Sequence, residues 1–241
     1  MLKVADSAVP VACWSCSVAH NESTLFCPHC SKIQPPPAGD YFSVFGLQPR
    51  FHLDLAALEL EFHRLSRKLH PDRFARAQKN ERQWSLAGTA LLNDAYRTLK
   101  DPLRRTEYVL KIAGANASVP AAPAADPPSS AATNGKEKDR SRAPAGLLEK
   151  VFDLNLQLEE MRAASDMGKE DPALKEKLAA AKMKFDSLLG AVDRDLRVQW
   201  TAWDAGDAAA RLLAQQAMVV LLERRRYLSN LVRDVSDILG A

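Results

Sequence analysis

Apolar residues in the middle of the chain follow a three-and-four rhythm. Leu55, Leu58, Phe62, Leu65 and Leu69 share one helical face, and the stripe runs directly into His70-Pro71-Asp72. Proline disfavours helical backbone in the residue before it, so the helix is predicted to end near His70 and to leave the tripeptide on an exposed turn. A returning antiparallel helix is predicted through Trp84, Ala87, Leu91, Tyr96 and Leu99, and Asp101-Pro102 opens a further short one.

Beyond residue 146 the rhythm resumes in three segments, about Leu147 to Ala164, Pro172 to Trp203 and Asp207 to Leu239. Asp171-Pro172 reads as a cap with proline at the first helical position, and Asp204-Ala205-Gly206-Asp207 as a turn with an acidic cap for the last helix. Leu174, Leu178, Ala181, Phe185, Leu188 and Val192, with Leu213, Val220, Tyr227, Leu231 and Ile238, are assigned to a shared core. An antiparallel three-helix bundle satisfies these patterns.

The first of the three segments carries more apolar surface than such a bundle needs. Leu147, Val151, Leu154, Leu158 and Met161 form one stripe, and Leu148, Phe152 and Leu156 form another, rotated by about 100°. Glu149, Asp153, Glu159 and Glu160 border the second stripe. It is either a docking surface for a basic partner or further core under the last helix, and periodicity weighs the two equally.

Composition divides the chain further. Residues 114–146 hold ten alanines and five prolines without an aromatic, too little apolar area to offset ordering entropy, and read as a flexible linker. The expected division is therefore 1–38, 39–113, 114–146 and 147–241. Against 33 basic side chains stand 30 acidic ones, a net charge of +3 that argues for neither nucleic acid nor a membrane surface. There is no apolar run of about eighteen residues, so no membrane span is expected. Met1 to Val11 carry only Lys3 as a base, which is not the pattern of a secretory or transit peptide.

Cys13, Cys16, Cys27 and Cys30 are the only cysteines. Two C-x-x-C pairs bring four thiolates to a tetrahedral point, the arrangement of one structural zinc ion with no open position for catalysis. Disulfides are the rival, but adjacent C-x-x-C bridges would be strained, and iron competes for the same ligands. A thiol oxidoreductase would set Cys13-Trp14-Ser15-Cys16 at a helix start after a strand, and no strand pattern precedes Cys13. His20 and His29 read as solvated loop residues. Pro35-Pro36-Pro37 reads as a spacer that isolates this module, so that losing the metal unfolds only the first forty or so residues.

The segment from Tyr41 to Ala113 gives, in order, Tyr41-Phe42-Ser43-Val44-Phe45-Gly46-Leu47, a helix behind Asp54, His70-Pro71-Asp72-Arg73-Phe74, Leu92-Asn93-Asp94-Ala95-Tyr96 and Asp101-Pro102-Leu103-Arg104-Arg105. That order resembles the J-domain, the module that stimulates ATP hydrolysis by DnaK-type 70 kDa heat-shock chaperones. Arg64, Arg67 and Lys68 crowd the end of the first helix and Arg73 follows the tripeptide, bases that also suit the helix macrodipole. The resemblance implies that these four residues and His70, Pro71 and Asp72 contact the chaperone, with Asp72 as the switch residue. The chain itself would perform no bond chemistry and would act allosterically.

A tetracysteine knuckle, a J-domain and a C-terminal three-helix bundle, in that order, resemble the HscB family of J-domain co-chaperones in its eukaryotic form. The resemblance implies an all-α fold beyond the zinc knuckle. It also implies binding of an IscU-type iron–sulfur scaffold through Leu148, Glu149, Phe152, Asp153, Leu156, Glu160 and Tyr227, and residence in the mitochondrial matrix, with the cytosol as the other compartment. Glu149 and Leu156 depart from the bacterial pattern, and so does the long linker. The alternative is a general J-domain co-chaperone with another client and a zinc knuckle that binds nucleic acid or protein. Against nucleic acid, Arg224-Arg225-Arg226 is an isolated basic run and reads as a solvated helix face. Stabilisation, targeting and self-association are all compatible with the metal module.

Overall fold

The structure is a computed structural model that describes residues 10–21, 24–37, 39–114, 156, 159 and 172–239. It divides into two compact units, Met1–Ala117 and Ser118–Ala241.

In the first unit, β1 (Pro10–Ala12) and β2 (Ala19–Asn21) pair antiparallel, Val11 opposite His20. A short helix α1 (Tyr41–Val44) follows, capped by the Asp40 carboxylate, which accepts from Ser43 N–H. The chain then turns through Gly46, whose positive φ of 67° suits glycine. Helix α2 (Leu55–Leu69) starts behind Asp54, whose carboxylate accepts from Ala57 N–H at 3.0 Å. A single 3-10 turn, Pro71–Phe74, connects it to α3 (Lys79–Lys100). Asp101 caps α4 (Pro102–Ile112) through the Leu103 and Arg104 N–H groups.

The stripe on α2 is buried as its spacing predicts at Leu58, Leu65 and Leu69, while Leu55, in the first turn, is 46% exposed. The face of α3 is rotated from the predicted one. Ala87 is exposed, Trp84, Leu91 and Tyr96 are half-buried, and the buried positions are Glu81, Ser85, Gly88, Leu92, Ala95 and Leu99. Small residues set that face because α2 comes close: a Cβ on Gly88 would stand 3.2 Å from Leu69 Cδ2. Phe62 stacks on Tyr96 with ring centroids 4.1 Å apart, and Tyr41 on Tyr108 at 4.4 Å.

The second unit contains a long hairpin, α5 (Pro172–Ala205) and α6 (Ala208–Leu239). Only glycine fits its turn, since a Cβ at Gly206 would lie 2.6 Å from the Ala202 carbonyl oxygen. Asp207 caps α6 by accepting from Ala210 N–H, in keeping with the acidic cap predicted there. On α5 the buried residues are Leu174, Leu178, Phe185, Val192, Leu196 and Trp203, whereas Ala181 and Leu188 are half-buried. The predicted register on α6 fails in its first half. Leu213 and Val220 are 67% and 64% exposed, and Ala214, Met218, Leu222, Leu228, Leu231 and Val235 are buried instead. The observed row starts at the small Ala214, one position on from the leucine that dominates a hydropathy reading, and steps by three and four except between Leu222 and Leu228, where the half-buried Arg225 stands. Arg225 is not a solvated side chain, because its Nε donates to Asp193 Oδ1 on α5 at 2.6 Å.

The expected linker beyond Gly114 and the first tail helix lie outside the described residues, apart from the helical residues Leu156 and Glu159. No described helix is long and apolar enough to cross a membrane.

Candidate functional site

The two C-x-x-C segments fold alike. Each is a tight knuckle in which the N–H of the residue after the second cysteine reaches back to the first cysteine's carbonyl, Ser17 to Cys13 at 2.9 Å and Ser31 to Cys27 at 3.0 Å. The N–H groups of Cys13 and Cys27 then close each loop on Val18 and Lys32. Ser17 and Ser31 carry positive φ values of 59° and 58°, a left-handed conformation that lets the chain reverse behind the sulfurs. The strand β1 does precede Cys13, contrary to the sequence reading. It leads into a hairpin turn and not into a helix, so the oxidoreductase arrangement is still absent.

The four Sγ atoms lie within 4.8 Å of one another, with Cys13 to Cys30 at 3.6 Å and Cys16 to Cys27 at 3.7 Å. A tetrahedral ion with metal–sulfur bonds of about 2.3 Å has edges of about 3.8 Å, so the four cysteines fit a metal ion. The surroundings of Cys13 and Cys16 act in opposite directions. Burial raises the Cys13 thiol, but the N–H groups of Cys16 and Ser15 and the sulfurs of Cys30 and Cys16 outweigh it and draw it down to about 6. The Val18 N–H lowers Cys16, yet burial and three neighbouring thiols push it up to about 12. A metal ion bound there would resolve that competition by taking all four as thiolates.

Gln34 joins the two knuckles: its Nε2 donates to the Cys13 sulfur at 3.4 Å and to the Lys32 carbonyl at 2.9 Å. His20, expected in solvent, is buried. Its Nε2 donates to Gln34 Oε1 and its Nδ1 accepts from Thr24 Oγ1, so both ring nitrogens serve the module's hydrogen bonding and not the metal. His29 is exposed, as expected.

The module is not isolated by its prolines. Pro37 is buried, and the second knuckle rests on α3 and the end of α2. Leu25 stands 3.6 Å from the Cβ position of Gly88, Trp14 packs on Trp84 with centroids 5.7 Å apart, and Lys32 Nζ pairs with the buried Glu81 at 3.2 Å. Lys68 lies 5.8 Å over the Phe26 ring. Nothing in the hydropathy of α3 signals these contacts; the run of small residues Ser85, Gly88 and Ala95 is the trace they leave.

Leu69, fully buried, ends α2, and its carbonyl accepts from Ser85 Oγ at 2.6 Å. No residue of the following turn is buried. The Asp72 N–H donates to His70 Nδ1 at 3.3 Å, and the Asp72 carboxylate is 89% exposed. The turn is thus fixed at its root and open along its length. Arg64, Arg67, Lys68 and Arg73 are exposed beside it. Arg64 is engaged by Glu61 in a forked pair, Nε to Oε2 at 2.6 Å with a second contact from its terminal nitrogen to Oε1, so its charge is largely answered within α2.

Among the candidate scaffold contacts, Leu156 is helical and 51% exposed. Tyr227 is half-buried, and burial raises its phenol above the ordinary value. Leu148, Glu149, Phe152, Asp153 and Glu160 lie outside the described residues.

A scan against protein-family models finds no match. Among curated proteins, the chain is 37% identical over 114 residues to the iron–sulfur cluster co-chaperone protein HscB of Mus musculus, covering 46% of this chain and 49% of that protein. It is 47% identical over 75 residues to the co-chaperone protein HscB homolog of Vibrio cholerae, covering 31% and 44%. The chain spans about half the length of the curated relatives it matches. Among solved structures, human co-chaperone protein HscB superposes with a TM-score of 0.58 at 25% identity, over 94% of this chain and 97% of that one. Chaperone HscB from Vibrio cholerae gives 0.52 at 27% identity, over 83% and 98%. In sequence and in fold the chain is HscB-like.

Proposed function

We propose that this chain, an HscB-type co-chaperone by the likeness just described, couples an IscU-type iron–sulfur scaffold to the ATPase of a DnaK-type chaperone. The observation that carries the reading is the His70-Pro71-Asp72 turn, exposed along its length and rooted on a fully buried Leu69. A partner that engages Asp72 meets a turn whose root is already packed, so less backbone ordering entropy opposes binding than on a free loop. Arg67, Lys68 and Arg73 beside it supply the positive field that steers an acidic partner, with Arg64 contributing less because Glu61 answers it. The chain makes and breaks no bond; it binds one chaperone state more tightly and so biases the hydrolytic cycle.

Scaffold binding is assigned to Leu148, Glu149, Phe152, Asp153, Leu156, Glu160 and Tyr227. In support, Leu156 is exposed on a helix and Tyr227 keeps part of its ring at the surface. The four thiolates would hold one zinc ion, which supplies folding free energy to a module too small for a core of its own. Likeness to HscB of Mus musculus, Homo sapiens and Arabidopsis thaliana supports placement in the mitochondrial matrix.

Two measurements test the reading together. Calorimetric titration against a purified IscU-type scaffold should give micromolar binding that the double variant Leu148→Ala/Phe152→Ala loses while keeping its helical signal. Steady-state ATP hydrolysis by a DnaK-type chaperone should rise on adding the chain, and rise further with scaffold present. Absence of both effects would overturn the proposal.

A further inference from the structure

The metal knuckle and the turn after His70 face each other across a cleft of about 1100 Å³. One wall is the second knuckle, including Thr24, Pro28 and Ser31; the other is formed by α2 and the turn, through Lys68, Arg73 and Arg76. Apolar side chains such as Leu65, Phe45 and Phe74 line it between them.

Its charges do not cancel. Glu61 is taken up by Arg64 and Glu81 by Lys32. Lys68, Arg73 and Arg76 have no carboxylate at ion-pair distance among the described residues, and all three are exposed. The cleft therefore presents three cations without carboxylate partners, Lys68 lying over the Phe26 ring, along a lining of mixed polar and apolar side chains directly downstream of Asp72.

We propose that this cleft takes an acidic peptide segment of the chaperone, so that the metal knuckle is one wall of the chaperone interface as well as a folding element. The inference rests on the chaperone reading above and extends it to a part of the chain for which that reading has no use. A peptide fits better than a small anion, because a cleft of about 1100 Å³ lies at the upper end of the range for small-molecule sites, far larger than one anion fills. Among macromolecules a peptide suits it best, because it can set apolar side chains against Leu65, Phe45 and Phe74 between its acidic ones. A J-domain without such a module lacks this wall, so the knuckle would favour one chaperone over others.

The test uses the full metal-loaded chain titrated against a purified DnaK-type chaperone at low and at physiological salt. Pro28 is exposed on the knuckle wall. Pro28→Glu sets a carboxylate where the acidic segment would lie and should weaken binding by about tenfold, more at low salt; Pro28→Lys should bind as well as the parent or better. Metal content and melting temperature of both variants should match the parent. Arg76→Glu, on the opposite wall and away from the metal, should reproduce the loss. If both Pro28 variants and Arg76→Glu bind like the parent, the cleft is not part of the interface and the inference is wrong, while the chaperone reading stands. If the parent chain itself fails to bind, the chaperone reading falls and takes the inference with it.

Discussion

The hydroxyl of Ser85 donates to the carbonyl of Leu69 at 2.6 Å, one residue before the His-Pro-Asp turn. A helix leaves its last carbonyls without partners, and here the returning helix supplies one. Both groups are buried, so the bond fixes where α2 stops as well as how the two helices pack.

Ser85→Ala should therefore cost about 1–2 kcal/mol, the usual penalty for stranding a buried acceptor. Thr89 Oγ1 is a poor replacement, at 3.4 Å from the same oxygen and already donating to the Ser85 carbonyl at 2.8 Å. Thr89→Val should be milder. Urea unfolding of the two variants, compared through their midpoints, decides it.

Gly88→Val should destabilise by about 1–3 kcal/mol through overpacking, despite the better helix propensity of valine. Its Cβ would press on Leu69 and then on Leu25, so the metal knuckle should be displaced along with α2. Faster reaction of the metal-site thiols with a colorimetric thiol reagent would report that displacement separately from global stability.

Asp72→Asn should abolish stimulation of the chaperone's ATPase and leave the melting temperature within about 1 °C of the parent. The carboxylate is 89% exposed and supports nothing but its own turn, so a structural cost is not expected. Retained stimulation would remove Asp72 from the role given to it.

Cys13→Ser/Cys27→Ser should release the metal and loosen more than the first forty residues. Leu25, Trp14 and Lys32 would quit Gly88, Trp84 and Glu81, leaving a buried glutamate without its cation. Hydrogen exchange should therefore quicken at Leu65–Leu69 and at Glu81–Leu92 as well as in the knuckles. Exchange confined to the knuckles would restore the isolated-module picture that the three prolines suggest.

The elements were legible wherever a local rule settles them. Asp54, Asp101 and Asp207 each cap the helix that follows, the stop at Pro71 is real, and Gly206 turns the long hairpin. What hydropathy misplaced were faces. It favours large apolar residues such as Ala87's neighbour Leu91 or Leu213 and Val220, whereas close helix packing buries small ones, Ser85 and Gly88 on α3 and Ala214 on α6. The four cysteines declared themselves by spacing alone. The seating of their module did not, because it depends on a glycine, a buried glutamate and a tryptophan pair far apart in sequence. His20 was misread for the same reason: its partners Gln34 and Thr24 become visible only when the second knuckle folds back on it.

The contrast between Leu69, sealed in the core, and the unburied residues that follow it marks a division of labour along the chain. The boundary between what folds the chain and what it shows to others falls between two adjacent residues: a change at Leu69 acts on the core, whereas a change from His70 to Phe74 alters the surface and leaves the core packing as it is.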